Sequence, residues 1–347
     1  MRIVHIIPGN TAITDGFDEF INSKFDKESH TFIALRKSDK LIQSNTITIK
    51  DKFDFIGLVR MIYHMNCCEK IIIHGLFSIQ LTAIFFLQSW ILKKSYWVIW
   101  GGDLYRYLGP KNKVKDKLHE LMRKYVIKNM GNFITHIKGD YELVKKWYGS
   151  KGKYYYSFTY GSNLYNDKII NIKEEVNNKV CIQVGNSADP SNNHCEVFNK
   201  LRKFKDMDIE IICPLSYGDK KYASRVINYG SEVFGDKFKP IIDFKPIDEY
   251  LKILSKIEIA IFNHKRQQAM GNITTLLGNG KKVYIRDDIT TWGFCFDHNL
   301  KVYRSNGDFK ELFTKMDYET VQKNIKNVSE QFTEEKLIMD LKIIFDS

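Results

Sequence analysis

The sequence is poor in the residues that would staple or stiffen a small fold. It has 6 cysteines and 6 prolines in 347 residues. Cys67 and Cys68 are adjacent and the other four are scattered, with no C-x-x-C spacing. That excludes a disulfide framework and gives no sign of a zinc site or a redox dithiol, and a reduced cytosol fits best. The opening run to Pro8 is too short for a signal peptide. There is no G-x-G-x-x-G, which argues against a dinucleotide cofactor, and no repeat of solenoid length. Acidic residues are scarce in one half only. Residues 1–165 hold 25 basic and 14 acidic side chains, and residues 166–347 hold 28 and 27. Nearly all of the +12 formal charge therefore sits in the first half, which suits an anionic partner there, whether nucleic acid, membrane surface or acidic substrate.

Residues 71–92 contain no charge and are long enough to span a bilayer. His74-Gly75 interrupts the run, and Ser78, Gln80, Gln88 and Ser89 are expensive in lipid. The reading adopted is a buried strand at 70–74, a glycine turn and a helix at 78–92, followed by a strand at 96–100. Further strands are expected at 2–7, 31–35, 46–49 and 132–137, alternating with helices, which predicts a parallel sheet. A polar stretch at 161–179 marks a boundary. Strands at 179–185, 209–214, 239–242, 258–263 and 281–286 then alternate with helices near 192–205, 219–231, 247–256 and 269–279. The prediction is α/β: two Rossmann-like doubly wound domains at 1–165 and 166–332, with an interdomain cleft. A helix at 333–345, within 333–347, is free to cross back to the first domain. Ligands are expected on the loops that follow the strands.

Several such loops carry chemistry. Gly185-Asn186-Ser187 offers close backbone approach and short donors, or is an ordinary turn with an N-cap. Tyr217 can stack on a base or sugar, or cap the sheet edge. Lys265-Arg266-Gln267-Gln268 lies between a strand end and a helix start, where a guanidinium fork and backbone donors suit a diphosphate. A solvated loop is the plainer account. Thr274 and Thr275 extend the donors into the first turn. In the first half, Asp103 after Trp100-Gly101-Gly102 reads as a general base, or as a turn acid. His74 is a second base candidate, or a structural histidine. Asp206-Met207-Asp208 has a D-x-D form but precedes a strand and reads as a solvated loop. The stretch 111–128 is a cationic amphipathic helix bearing Lys111, Lys113, Lys115, Lys117, Arg123, Lys124 and Lys128. With its stripe of Val114, Leu118, Leu121, Met122, Tyr125 and Val126, such a helix can lie on anionic lipid, or the stripe simply packs on the sheet; both hold if the stripe faces the core while the cations face headgroups.

Six segments together resemble a known family: HGLF at 74–77, WVIWGGDLYRY at 97–107, IKGD at 137–140, VGNSADPSNNH at 184–194, CPLSYGD at 213–219 and KRQQAMGN at 265–272. They resemble the TDP-N-acetylfucosamine:lipid II N-acetylfucosaminyltransferase family, glycosyltransferase family 56. The resemblance implies a GT-B fold, a dTDP-sugar donor and an undecaprenyl-diphosphate-linked glycan acceptor. It also implies peripheral attachment to the anionic cytoplasmic face of a bacterial inner membrane, in enterobacterial common antigen or O-antigen synthesis. The donor would be held in the second domain by Gly185, Asn186, Ser187, Tyr217, Arg266, Gln267, Gln268, Gly271 and Asn272. Glu249, in the segment 246–251, would stand near the nucleotide. The E-x7-E pattern of many retaining GT-B families is missing, with Gln267 and Gln268 near the place of its first glutamate. No metal is expected, because Arg266 and the helix N-terminus would take its part. The sugar moved would be a 4-acetamido-4,6-dideoxyhexose. The alternatives are a different nucleotide-sugar donor, a catalytically silent scaffold, or a basic nucleic-acid-binding protein. The last lacks an RRM, KH or helix-turn-helix signature, so no nucleic acid is expected.

Overall fold

Runs such as Ile-Val-His-Ile-Ile and Lys-Ile-Ile-Ile-His are apolar at consecutive positions, so both faces of such strands must be covered. The computed structural model describes residues 2–8, 14, 16–35, 45–49, 51, 54–165 and 179–347. Most of the polar boundary stretch, residues 166–178, lies outside them. The chain divides into two compact units. One comprises residues 1–162 together with Glu334–Ser347, and the other Asn163–Thr333.

The first unit holds a seven-stranded sheet with all neighbours parallel. Its strands are β1 (Ile3–Ile7), β2 (His30–Ala34), β3 (Thr46–Thr48), β4 (Lys70–His74), β5 (Ser95–Val98), β6 (Asn132–Ile134) and β7 (Lys153–Tyr155), in the order 3-2-1-4-5-6-7. Its helices are α1 (Phe17–Lys24), α2 (Phe55–Cys67), α3 (Ile79–Leu87), α4 (Gly102–Tyr105), α5 (Val114–Asn129) and α6 (Lys138–Tyr148). Asp54 caps α2 by accepting from Gly57 N, and Ser78 caps α3 by accepting from Leu81 N. Trp97, Phe85 and Phe133 are wholly buried in the core.

The uncharged stretch 71–92 divides among β4, α3 and a 3₁₀ turn at Ser89–Lys94. Among the described residues no helix is long and apolar enough to cross a membrane. The sheet-packing reading of the α5 stripe fails for most of its residues. The buried face of α5 carries His119, Glu120, Arg123, Val126 and Ile127, whereas Val114, Leu118, Leu121 and Tyr125 face outward. Of the packed face only Val126 and Ile127 are apolar, so the more regular apolar stripe of the helix is not the one that packs. Arg123, placed among the headgroup-facing cations by the sequence, is wholly buried. Its guanidinium donates to the carbonyls of Leu76 and Asp103, the latter at 2.7 Å, and pairs with Glu120 at 3.5 Å. Lys113, Lys115, Lys117, Lys124 and Lys128 are exposed and Lys111 is half-buried.

The second unit repeats the plan with a six-stranded parallel sheet. Its strands are β8 (Val180–Val184), β9 (Ile209–Pro214), β10 (Phe238–Ile241), β11 (Ile259–Phe262), β12 (Lys282–Ile285) and β13 (Tyr303–Arg304), in the order 10-9-8-11-12-13. The helices are α7 (His194–Leu201), α8 (Lys220–Phe234), α9 (Ile247–Lys256), α10 (Met270–Gly278), α11 (Thr290–Asp297) and α12 (Tyr318–Gln331). Phe198 and Phe309 fill its core. The strand order reverses between β8 and β11, and in the first unit between β1 and β4. Doubly wound sheets open a ligand crevice at such a reversal, beyond the carboxyl ends of the strands.

The chain then returns to the first unit as α13 (Glu334–Asp346). Phe345 packs against Phe25 and His30, and the Lys70 ammonium donates to the carbonyls of Ile344 and Phe345.

Candidate donor site in the second unit

Three loops meet at the β8/β11 reversal. The loop after β8 opens with Gly185, whose φ of +69° is left-handed. A Cβ there would lie 2.3 Å from His194 Nε2 and 2.8 Å from Asn192 Oδ1, so only glycine fits. The loop after β9 is bound to it by two backbone bonds, Ala188 N to Tyr217 O and Asp219 N to Ala188 O. The loop after β11 is tied in by Lys265 N donating to Ser191 O.

Side chains complete the knot. Asn192 is buried at its centre. Its Oδ1 accepts from Asn186 N and His264 Nε2, both at 2.9 Å, and its Nδ2 donates to Asp189 O at 3.0 Å. Asn186 Nδ2 donates to the Tyr217 hydroxyl at 2.9 Å. Gln268 Nε2 donates to Asn186 Oδ1 and Ser187 Oγ, while its Oε1 accepts from Ser191 Oγ. Arg266 crosses between loops, donating to Asp189 Oδ2 at 2.9 Å and to Gln267 O at 3.1 Å. Burial pushes the Asp189 carboxyl up, but the Ser191 bonds and the Arg266 charge outweigh it and hold it below the usual range. Burial, then the Arg266 charge, lowers His264 to about 3, so its imidazole is neutral.

The loop delivers the chain to α10, which, like α1, α5, α6, α7, α9 and α11, starts without a side-chain cap. The residue before α10 is Ala269, at φ +61°, and no side chain caps the helix. A left-handed alanine costs about 1–2 kcal/mol. Uncapped backbone N–H groups therefore point out of the α10 N-terminus beside a guanidinium, an arrangement suited to an anion. Gly271 and Asn272 belong to that first turn, and Asn272 Oδ1 accepts from the Tyr250 hydroxyl of α9 at 3.1 Å. Gln267 is buried, and its Oε1 has no hydrogen-bond partner. Such an oxygen is open to accept a hydrogen bond from a water or a bound molecule.

Gly185, Asn186, Ser187, Tyr217, Arg266, Gln267, Gln268, Gly271 and Asn272 thus share one end of one sheet. Thr274 does not join them: its hydroxyl turns back onto the Met270 carbonyl at 2.9 Å, inside its own helix. Glu249 is exposed on α9 and pairs with Lys245 at 3.7 Å, one residue from the Tyr250 that touches α10. Sequence reasoning missed Asn192, His264, Asp189 and Tyr250 as members of the site. An asparagine just before a helix reads as a cap, which hid the central role of Asn192. Asp206 and Asp208 lie outside this knot, in the turn leading into β9. Among the described residues no group of three or more His, Cys, Asp or Glu is arranged to hold a metal.

The two base candidates of the first unit are corrected by their surroundings. Asp103 is wholly buried. Its Oδ2 accepts from Leu76 N and Trp97 Nε1 at 2.9 and 2.7 Å, and its Oδ1 from Trp100 N and Leu104 N at 3.0 and 2.9 Å. Four donors occupy the carboxylate, so it ties the loop after β5 to the loop after β4. His74 is also wholly buried, with Nδ1 2.7 Å from the Tyr160 hydroxyl and Nε2 3.2 Å from His5 Nδ1. His5 Nε2 lies 2.9 Å from His30 Nδ1, and Trp100 Nε1 donates to Tyr160 at 2.8 Å. Burial lowers His74 to about 3. Both of its nitrogens are engaged, and it holds a structural chain rather than reaching a substrate.

A sequence profile described as 4-alpha-L-fucosyltransferase, glycosyl transferase group 56, matches residues 3–312. The chain belongs to that family. It is a glycosyltransferase of GT-B fold. Among solved structures, the transferase is similar to Anabaena HepE in complex with UDP, with TM-score 0.71, 10% identity and 100% of each chain covered. It is similar to the sucrose-phosphate synthase of Thermosynechococcus elongatus, with TM-score 0.72 and 10% identity over 100% of this chain and 98% of that one. A third is an alpha,alpha-trehalose-phosphate synthase (UDP-forming) from Burkholderia vietnamiensis, with TM-score 0.67 and 6% identity over 100% of this chain and 99% of that one. At these identities the likeness concerns the fold.

Proposed function

We propose that the transferase moves a 4-acetamido-4,6-dideoxyhexose from dTDP to an undecaprenyl-diphosphate-linked glycan. It would do so at the anionic cytoplasmic face of a bacterial inner membrane, in enterobacterial common antigen or O-antigen assembly. The observation that carries the donor half is the uncapped N-terminus of α10 beside Arg266. In the reaction the anomeric C–O bond to the diphosphate breaks, and the diphosphate leaves with the electron pair. The acceptor hydroxyl oxygen forms the new bond and releases its proton. Charge grows on the leaving diphosphate, where a helix dipole, free N–H groups and a guanidinium stabilise it without a metal. Gln267 would accept from a hydroxyl or N–H of the donor, a role supported by its buried Oε1 having no partner within the protein.

The test is calorimetric titration with dTDP, UDP and an oligonucleotide, followed by a transfer assay with the dTDP-sugar and a lipid-linked acceptor. Tight dTDP binding with transfer supports the reading, and oligonucleotide binding with a steep salt slope refutes it. A UDP-sugar is the second reading, prompted by the UDP in the HepE complex. Arg266→Ala is expected to lower transfer by about 10²- to 10³-fold, the scale of losing one charge-stabilising donor, with the fold retained. An unchanged rate removes Arg266 from the site.

A further inference from the structure

The outward face of the first unit carries an apolar band that no part of the described protein covers. On α5, at about 100° per residue, Val114, Leu118, Leu121 and Tyr125 fall within about 60° of arc. That arc is opposite the buried face, and Val114 and Leu121 are 83% and 65% exposed. Tyr125 packs edge-on against Phe86 of α3, with ring centres 5.1 Å apart. Beyond Phe86 come Leu87 and Trp90, at 72% and 66% exposure. The Trp90 indole donates to Asn66 Oδ1 at 2.9 Å, and Asn66 Nδ2 donates to Gln88 Oε1, which joins this segment to α2. Ile56, Val59 and Tyr63 share the Asn66 side of α2, all exposed and opposite the buried Met61 and Met65. One band therefore runs from α5 through the end of α3 to α2.

The charge around the band is mainly positive, with Glu69 exposed at the end of α2 and Asp116 half-buried on the side of α5 away from the stripe. No Asp or Glu occurs in residues 55–68 or 70–102. Lys117, Lys124 and Lys128 line one flank of the α5 stripe, and Arg60 and Lys93 are exposed on the neighbouring segments. Trp90, Tyr63 and Tyr125 are the amphipathic ring types that settle at the headgroup level. On monomeric proteins, large contiguous apolar patches left exposed commonly mark interaction surfaces.

We propose that this face inserts into an anionic bilayer: the α5 stripe, Leu87 and Trp90 enter the boundary between headgroups and acyl chains while the flanking lysines hold the headgroups. The proposal rests on the membrane reading above and deepens it. Attachment then has two parts, an electrostatic one that salt screens and an apolar one that salt leaves in place.

The experiment is vesicle flotation with the full chain, on phosphatidylcholine containing phosphatidylglycerol and on phosphatidylcholine alone. The wild type is expected to bind the anionic vesicles and to keep a salt-resistant fraction. Its fluorescence is expected to be quenched by lipids brominated in the acyl chain, and Trp90→Phe should lose that quenching. Leu118→Glu with Leu121→Glu is expected to weaken binding by at least about tenfold. Because both residues are exposed, the thermal midpoint and transfer to a short, water-soluble acceptor should not change. Normal binding by that variant, or binding abolished by salt with no acyl quenching, overturns insertion and leaves the membrane reading intact. No binding to any vesicle overturns both. A wild-type dimer in sedimentation that the double variant dissolves also overturns the proposal, because the band would then be covered by a second copy.

Discussion

Replacing Asp103 by asparagine distinguishes a catalytic carboxylate from a structural one. Each oxygen accepts two N–H bonds, Oδ2 from Leu76 and Trp97 and Oδ1 from Trp100 and Leu104. An asparagine amide must turn its NH2 toward one of those pairs, whichever way it is oriented. Two bonds to a charged acceptor are lost, and two buried donors face another donor. Bonds to charged groups contribute about 1.5–3 kcal/mol each, so the loss is about 3–6 kcal/mol. Desolvation of Asp103, which raises its carboxyl pKa, offsets part of this and favours the lower end. For a unit of this size the thermal midpoint should fall by about 6–24 °C. Urea unfolding followed by near-UV circular dichroism, with dTDP titration alongside, reads both quantities. The first unit should lose stability while the second still binds nucleotide. A variant within about 1 kcal/mol of wild type whose transfer rate has collapsed would refute the reasoning and return Asp103 to the chemistry.

Other perturbations follow from features of the same kind. Gly185→Ala forces a Cβ onto His194 Nε2 at a left-handed φ. It should cost about 2 kcal/mol or more in denaturant unfolding and weaken dTDP binding; unaltered affinity would show that the loop after β8 does not touch nucleotide. Ala269→Gly should relieve the left-handed strain and raise stability by about 1 kcal/mol, and a loss of stability would contradict the strain. Burial lowers His30 and His194 to about 4 and His74 and His264 to about 3. Above about pH 6.5 these groups are neutral whether folded or not. Below it the unfolded chain takes up protons that the native state refuses. Each histidine should then remove up to about 1.4 kcal/mol of stability per pH unit, down to its folded value. Denaturant midpoints measured from about pH 7.5 to about pH 5 should fall steeply, and a flat profile would show that these imidazoles accept protons in place.

Strands whose two faces are covered were legible almost residue by residue, because continuous apolar runs have no other common explanation. Lys70–His74 and Ile209–Pro214 are read to their ends. The edge strands Lys153–Tyr155 and Tyr303–Arg304 were not, being two or three residues long, partly exposed and without an apolar pattern. The loops that build the site were found because strand ends locate them. The partners within and between those loops were not, since Asn192 reaches His264 across 72 residues and no local signal records that distance. The same holds for Asp103 and His74, whose occupancy depends on Leu76, Tyr160 and His5. Helix α5 shows a further limit: its regular apolar stripe is the side left exposed, and the side that packs is mostly polar, so periodicity alone points to the wrong face.

The return of α13 to the first unit has a consequence for the order in which the chain matures. Phe345 and the carbonyls held by Lys70 belong to the first unit's packing, yet residues 163–333 must be made before them. At about 5–20 residues per second that interval is roughly 9–34 s. Through it the ribosome presents β1 to β7 with one helix missing, His30 and Phe25 without Phe345, and Lys70 without its carbonyl partners. The second unit, contiguous in sequence, can close during synthesis while the first waits. A premature stop before Glu334 would therefore release a chain whose second unit is whole and whose first lacks a layer, and protease sensitivity confined to that first unit should be the sign of it.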